Sequence, residues 1–114
     1  METDVDLHIV YFSTLSVYDK NSPYTRHKRL MEQYIKRMFD SYTIIRLGNI
    51  TWGKNPNTIL NWLRKNPTAE LRDEYKYIID KEEFLYWIDR IPSFSTEMNI
   101  TGKRVHTSEL HKYL

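Results

Sequence analysis

The chain has 114 residues, a formal net charge of +2 and no cysteine, which is enough for one domain with a real core. The balanced charge gives no indication of binding to nucleic acid or an anionic membrane, and the lack of cysteine excludes disulfides and thiolate chemistry. No apolar run approaches the roughly 20 residues of a membrane span, and the acidic N-terminus is unlike a signal peptide. We therefore expect a soluble, cytoplasmic protein.

The first predicted element is a strand over residues 7–13, which is nearly all apolar and so typical of a strand covered on both faces in a parallel sheet. Ser22 and Pro23 then have the side chains of an N-cap and a first helical residue. Apolar residues recur every three or four positions to about Phe39, which predicts one apolar helical face. The basic residues between them predict a solvated face.

A second apolar strand, Tyr42–Leu47, completes a strand–helix–strand unit, whose crossover is almost always right-handed. The later predicted elements are a loop over 48–57, a helix from Asn55-Pro56 to about Lys65, a strand over Tyr75–Ile79, a helix from Lys81 to about Arg90 capped by Asp80, a last short strand over Glu97–Ile100, and a terminal helix over Ser108–Leu114 capped by Thr107. No repeat or linker is visible, so the sequence predicts a single domain over residues 1–114.

Three side chains are expected to gather where parallel strands end, which is where such sheets bind ligands. Thr14 follows the first strand, and Tyr24 and Lys28 lie four residues apart on one helical face. A neighbouring ammonium lowers the pKa of a tyrosine from about 10, so that the phenol can exchange a proton with a substrate hydroxyl or carbonyl. A threonine hydroxyl can bind the same oxygen. This set suits hydride transfer to or from a nicotinamide.

The Tyr-Lys spacing is weak evidence by itself, because a second pair, Tyr77 and Lys81, straddles a strand end and is interpreted as chance. Three ordered blocks give a stronger indication, and they run over Val10–Tyr18, Pro23–Gln33 and Ile45–Gly53. Together they resemble the extended short-chain dehydrogenase/reductase family, and more narrowly its NAD-dependent nucleotide-sugar epimerase/dehydratase branch. The resemblance covers roughly residues 7 to 114 and is most specific in its first half.

The resemblance implies an α/β fold, with a partial Rossmann-like βαβ unit of parallel strands followed by the small C-terminal α/β substrate-binding part. It implies that Tyr24 is the acid/base catalyst. Lys28 would hold the nicotinamide ribose and tune Tyr24, and Thr14 would bind the reacting oxygen of the substrate.

The resemblance also implies a set of binding residues. Phe12 and Ser13 would line the nicotinamide side of the cofactor site, together with Tyr24 and Lys28. Asn49 would touch the sugar nucleotide, and Arg72, one residue from the family position, would bind its phosphate.

The sequence departs from the family in lacking a cofactor-binding half. That half begins with a strand, a Gly-rich turn and a helix, which let the pyrophosphate approach the backbone. Here only three glycines occur, none in such a turn, and six residues precede the first strand. We therefore expect the C-terminal half alone, with NAD or NADP bound only if a partner supplies the missing half, and otherwise no cofactor. Leu15-Ser16 replaces the acidic pair of dehydratases, which disfavours dehydration.

An unpaired apolar edge attracts another chain, and the helix of Tyr24 belongs to a surface through which family members often dimerise. We expect a homo-oligomer or a complementing protein chain, a possible nucleotide-sugar ligand, and no nucleic acid, membrane or metal.

Three functions stay open. The chain is a truncated or split enzyme, a catalytically inactive remnant serving as an oligomerisation, scaffold or binding subunit, or a lone enzyme with different chemistry on a nucleotide-like ligand.

Overall fold

The structure is a computed structural model that describes residues 7–114. Its elements are β1 (Ile9–Thr14), α1 (Pro23–Met38), β2 (Tyr42–Leu47), β3 (Asn49–Ile50), α2 (Ile59–Lys65), β4 (Tyr75–Ile79), α3 (Lys81–Ile88), β5 (Thr96–Ile100) and β6 (Lys103–His106), with 3-10 segments at Leu15–Tyr18 and Thr107–Tyr113. The described residues divide into two compact units, one of residues 7–46 with Arg90–Asn99, the other of Leu47–Asp89 with Ile100–Leu114. Over the described range, every helix is too short or too polar to cross a bilayer.

The first unit is built on three parallel strands in the order β1-β2-β5. The middle strand β2 is buried over its four central residues, 43–46, because it has a neighbour on each side and cover on its faces. Helix α1 connects β1 to β2 and packs on β1. It begins where the sequence predicts, because Ser22 Oγ accepts the Thr25 N–H at 3.1 Å and Pro23 needs no N–H partner. The predicted α/β class with parallel strands is confirmed.

The second unit contains the sheet β3-β4-β6. Strand β3 runs parallel to β4, with Asn49 opposite Ile78, and β4 runs antiparallel to β6, with Tyr75 opposite His106. Its core joins side chains from α2, β4, β6 and the C-terminal 3-10 segment, namely Leu60, Leu63, Ile78, Val105 and Leu110. The short turn between β5 and β6 depends on Gly102, which has φ +72°.

Several predicted boundaries are wrong. Helix α2 begins at Ile59, because Thr58 supplies the cap by accepting the Asn61 N–H. Asn55 instead closes a turn by accepting the Asn57 N–H at 2.9 Å. Helix α3 ends at Ile88 rather than near Arg90.

The C-terminal region also differs from the prediction. The strand expected over Glu97–Ile100 is present as β5 but is followed by β6, so it is not the last strand. The final segment is a 3-10 helix rather than an α-helix, and His106 rather than Thr107 caps it. The Thr107 hydroxyl instead donates to the Arg72 carbonyl oxygen at 2.6 Å.

Candidate functional site

A chain of four hydroxyl groups runs from the start of α1 to the end of β1. Ser22 caps α1, and its hydroxyl donates to Thr25 Oγ1 at 3.0 Å. Thr25 Oγ1 lies 3.1 Å from Ser16 Oγ, which lies 3.1 Å from Thr14 Oγ1. Thr14 Oγ1 also accepts the Ser16 N–H at 3.2 Å. The side chain of Thr14 is therefore fixed by the residues around it.

Each hydroxyl in this chain has one proton to donate and two lone pairs that accept. Ser22 donates to Thr25, and either partner can be the donor between Thr25 and Ser16 and between Ser16 and Thr14. Thr25 is only 1% exposed, so water does not offer it another partner. Thr14 Oγ1 thus accepts the Ser16 N–H and shares a second hydrogen bond with the Ser16 hydroxyl, at the end of the hydroxyl chain.

Tyr24 and Lys28 lie on one face of α1, one turn apart. Lys28 Nζ donates to the Phe12 carbonyl oxygen at 2.9 Å. It lies 4.8 Å from the centroid of the Tyr11 ring and 5.7 Å from that of Tyr24. Tyr24 is 59% exposed. The structure thus places an ammonium beside an accessible phenol, close to the end of β1.

Phe12 and Ser13 have different environments because successive side chains of a strand point to opposite faces. The Phe12 side chain is 42% exposed. Ser13 is buried, and its hydroxyl donates to Glu32 Oε2 at 2.5 Å. Phe12 can therefore present a ring to a ligand, whereas the Ser13 hydroxyl is used inside the unit.

Asn49 and Arg72 belong to the second unit. The Asn49 side-chain amide donates to the Tyr77 carbonyl oxygen at 3.0 Å. Arg72 is exposed in the loop before β4, where its carbonyl accepts the Thr107 hydroxyl. The structure thus groups the predicted residues of β1 and α1 in one unit and leaves the two sugar-nucleotide residues in the other.

Sequence reasoning missed a buried ionic network in the first unit. Arg46 Nη2 lies 2.6 Å from Glu32 Oε1 and 2.5 Å from Glu97 Oε1, and Nη1 donates to the Tyr18 hydroxyl at 2.9 Å. The Glu32 and Arg46 side chains are 7% and 9% exposed. Lys36 Nζ adds a contact to Glu97 at 2.9 Å. The network ties α1, β2 and β5 together.

The electrostatic effects follow from these contacts. The hydrogen bond that Arg46 donates to Glu32 is the main cause that raises the pKa of Arg46, so its guanidinium stays charged despite burial. Hydrogen bonds from Arg46 and then Lys36 lower the pKa of Glu97. Burial, followed by the charge of Glu32, raises the pKa of Tyr11, whose ring contacts Lys28.

One signal in the sequence could have revealed this network. Glu32 lies on the helical face of Thr25 and Ile35, at spacings of seven and three residues, and both neighbours are buried. Arg46 is the single charge in the apolar strand β2. Two opposite charges, each on the buried face of its element, predict a pair, because an unpaired buried charge is strongly unfavourable.

The Glu97 contacts predict a dependence of stability on pH. Because the fold lowers the pKa of Glu97 below its usual 4.5, its contribution is complete above pH 4.5 and is lost as the pH falls through the lower, folded value. We expect the free energy of unfolding of the wild type to fall more steeply between pH 5 and pH 3 than that of Glu97→Gln. Urea unfolding at each pH measures this.

The effect is expected to be small, since the Glu97 side chain is 38% exposed and partly screened by water. Glu82→Gln, at an exposed position in the first turn of α3, is the matched control and should keep the wild-type slope. Equal slopes for the wild type and Glu97→Gln would contradict the assignment.

Comparison with known proteins places this geometry in a known fold. No protein-family model matches the sequence, and no curated protein matches it. Among solved structures, the Bordetella bronchiseptica enzyme WbmG in complex with NAD and UDP matches with a TM-score of 0.68 at 18% identity, over 94% of this chain and 42% of that chain.

Two further enzymes match over similar extents. dTDP-glucose 4,6-dehydratase from Bacillus anthracis, in complex with NAD, has a TM-score of 0.66 at 17% identity, over 91% of this chain and 44% of that one. A UDP-galactose 4-epimerase has a TM-score of 0.59 at 15% identity, over 90% and 44%. The chain therefore spans less than half the length of the enzymes it matches. At these identities the likeness concerns the fold, and over the part that it covers the chain has the fold of NAD-dependent epimerase/dehydratase enzymes.

Proposed function

We propose that the chain is a truncated or split NAD(P)-dependent epimerase/dehydratase-like protein that acts on or binds a nucleotide sugar, with both units together corresponding to the C-terminal half of such an enzyme. The observation that carries the proposal is the ammonium of Lys28, held beside the exposed Tyr24 at the end of β1. The match to an enzyme in complex with NAD and UDP supports it.

In this proposal Tyr24, Lys28 and Thr14 each have a separate role at the reacting carbon of the sugar. Tyr24 exchanges a proton with the reacting hydroxyl, and the positive charge of Lys28 stabilises the phenolate that forms. Thr14 donates its O–H to the same oxygen. Asn49 and Arg72 are assigned to the sugar nucleotide.

The described residues fit one part of a dinucleotide and not the other. Lys28, Tyr24 and the exposed Phe12 ring suit a nicotinamide and its ribose. A bound nicotinamide would accept or return hydride at the sugar carbon. The sequence supplies no Gly-rich turn to bind the pyrophosphate, because none of the three glycines lies in such a turn before a helix. We therefore assign the pyrophosphate site to a complementing chain.

The second candidate function is a catalytically inactive remnant that serves as an oligomerisation, scaffold or binding subunit. Its support is that the Lys28 ammonium already has a carbonyl partner and two aromatic rings within the chain, and that less than half of each matched enzyme is covered. A lone enzyme acting on a nucleotide-like ligand is the third.

Both leading candidates involve a second chain. Among the described strands of its sheet, β1 has a single neighbour, β2, and its Val10 and Phe12 side chains are 38% and 42% exposed. On α1, Leu30, Tyr34 and Met38 form an exposed apolar stripe with a spacing of four residues. We expect light scattering at tens of micromolar to detect a homo-oligomer, or a complex when the complementing half is added, and a monomer in both samples would contradict this.

Calorimetry separates the three functions. The full chain is titrated with NAD, NADP, UDP-glucose and UDP-galactose, first alone and then with the Gly-rich half of a matched enzyme, expressed separately. Binding only with the added half supports a split enzyme, binding by the isolated chain supports a lone enzyme, and no binding supports a remnant.

If the complemented protein turns over, Tyr24→Phe should lower kcat by about 10²–10⁴-fold. Tyr86→Phe, at an exposed position on α3, is the control and should keep the wild-type rate.

A further inference from the structure

The outward face of α1 is both apolar and basic. Its apolar stripe, Leu30, Tyr34 and Met38, is 64%, 50% and 58% exposed. Because these residues follow one another at intervals of four, they form a continuous ridge about 12 Å long. Arg26 lies four residues before Leu30 and Arg37 three residues after Tyr34, and both arginines are exposed. The apolar stripe therefore has a guanidinium toward each end.

The two arginines are not neutralised by the chain itself. The Arg26 guanidinium donates to the Asn21 carbonyl oxygen at 3.0 Å, and neither arginine contacts a carboxylate among the described residues. The single carboxylate of α1, Glu32, is buried and paired with Arg46. The outward face of α1 thus carries positive charge beside its apolar stripe and no negative charge.

The spacing and the charge of this face indicate the chemistry of its partner. Apolar side chains at intervals of four residues pack into the groove of a second helix. In paired helices, the charges that flank the apolar contact decide which partner binds and in which direction. Arg26 and Arg37 therefore favour a helix that carries carboxylates beside its own apolar residues.

The same face of a second copy does not meet this requirement. In an antiparallel pair with Leu30 opposite Tyr34 of the other copy, Arg26 lies beside Arg37 of that copy. In a parallel pair each arginine lies beside its own equivalent. Either direction places like charges together with no carboxylate between them, which disfavours the pair.

A lipid surface is also a weaker candidate. Electrostatic binding to anionic lipids uses clusters of about four to eight cations, whereas this face has two exposed arginines. The stripe has three apolar residues on a helix whose other side packs on β1, so it offers little area for insertion among acyl chains.

We propose that the apolar stripe of α1 binds an acidic amphipathic helix of another protein, with carboxylates of that helix paired to Arg26 and Arg37. The contact is made by side chains of α1 alone and needs no nucleotide sugar and no cofactor. It therefore goes beyond the function proposed above and holds whether or not the chain binds a dinucleotide.

The test titrates the full chain with two designed helical peptides of about 20 residues, the length of three heptads. Both have leucine at the a and d positions, and the e and g positions are glutamate in one peptide and lysine in the other. We expect the glutamate peptide to bind at least about 10-fold more tightly at low salt, and the difference to shrink between about 0.01 M and 1 M salt as the charges are screened. Amide NMR shifts should change on α1 and not in the second unit.

Charge variants show whether the two arginines cause the preference. Arg26→Glu with Arg37→Glu should reverse the order of the two peptides, and Arg26→Gln with Arg37→Gln, which adds no negative charge, should abolish the preference. Lys54→Glu with Lys65→Glu makes the same change of charge at two exposed positions of the second unit and should keep the wild-type preference. Circular dichroism checks that each variant is folded.

The apolar contribution is tested with Leu30→Ala combined with Tyr34→Ala, which should weaken binding of the glutamate peptide about 10-fold or more. Equal affinity of the wild type for the two peptides, or an unchanged preference in the folded Arg26→Glu, Arg37→Glu variant, would overturn the proposal. Binding to phosphatidylserine vesicles but to neither peptide would assign the face to a lipid surface and overturn it as well. Self-association that this alanine variant abolishes would assign the face to a second copy, with the same consequence.

Discussion

Glu32→Ala is expected to lower the free energy of unfolding by about 3 kcal/mol, the low end of the range for removing one partner of a buried ion pair. The substitution leaves the Arg46 guanidinium, 9% exposed, without its main partner. It also removes the acceptor of the buried Ser13 hydroxyl. The loss stays at the low end because Glu97 still contacts Arg46. Urea unfolding at neutral pH, followed by circular dichroism, measures it.

A double variant separates the effect of losing the ion pair from the effect of losing side-chain volume. Glu32→Leu with Arg46→Met removes both charges and keeps apolar volume, so we expect it to be more stable than Glu32→Ala, because no uncompensated charge remains buried. A double variant that is less stable than Glu32→Ala would show that the two charges contribute through something other than their pairing.

Gly102→Ala is expected to lower the free energy of unfolding by about 2–5 kcal/mol, the sum of a left-handed backbone conformation and a steric overlap. Gly102 has φ +72°, and an added Cβ would lie 2.2 Å from the Ile78 carbonyl oxygen and 2.8 Å from Ile79 Cα. Both contacts are to the backbone of β4, a central strand of the second unit, so β4 and β6 would have to separate. Thermal and urea unfolding check this.

The chain contains a matched control for this prediction. Gly53 also has a positive φ, +89°, but nothing lies within 4 Å of its added Cβ. Gly53→Ala should therefore lower the free energy of unfolding only by the cost of the left-handed backbone conformation, about 1–2 kcal/mol. Equal losses at both glycines would mean that the close approach of β4 to the β5–β6 turn contributes nothing.

The elements that the sequence predicts well are those whose ends are fixed by their own residues. Helix α1 has Ser22-Pro23 at its start, and α3 has Asp80 accepting the Glu83 N–H at 2.8 Å. Strands β2 and β4 match their predicted bounds because each is a short apolar run. Strand β6, Lys103–His106, was missed because Val105 is its one apolar residue, so the strand shows no alternation and is recognised only by its pairing with β4.

The site was predictable only as a set of residues, not as a set of contacts. The spacing of Tyr24 and Lys28 places them on one helical face, but it cannot show that the Phe12 carbonyl accepts from the ammonium. The basic face of α1 was predicted to be solvated, whereas Arg29 donates to the Val17 carbonyl at 2.9 Å and to that of Lys20. Such partners come from loops, whose path local sequence patterns do not fix.

The first unit is interrupted in sequence, since the chain leaves it after Arg46 and returns at Arg90. The contact of Arg46 with Glu97 joins residues 51 positions apart. During synthesis, β1, α1 and β2 leave the ribosome long before residues 90–99. The Arg46 guanidinium therefore lacks its Glu97 partner until the segment Leu47–Asp89 of the second unit has been made. Completion of the first unit is therefore a late, long-range event, and a polypeptide that stopped before residue 90 would retain the Thr14, Tyr24 and Lys28 positions but lack the strand that closes their sheet.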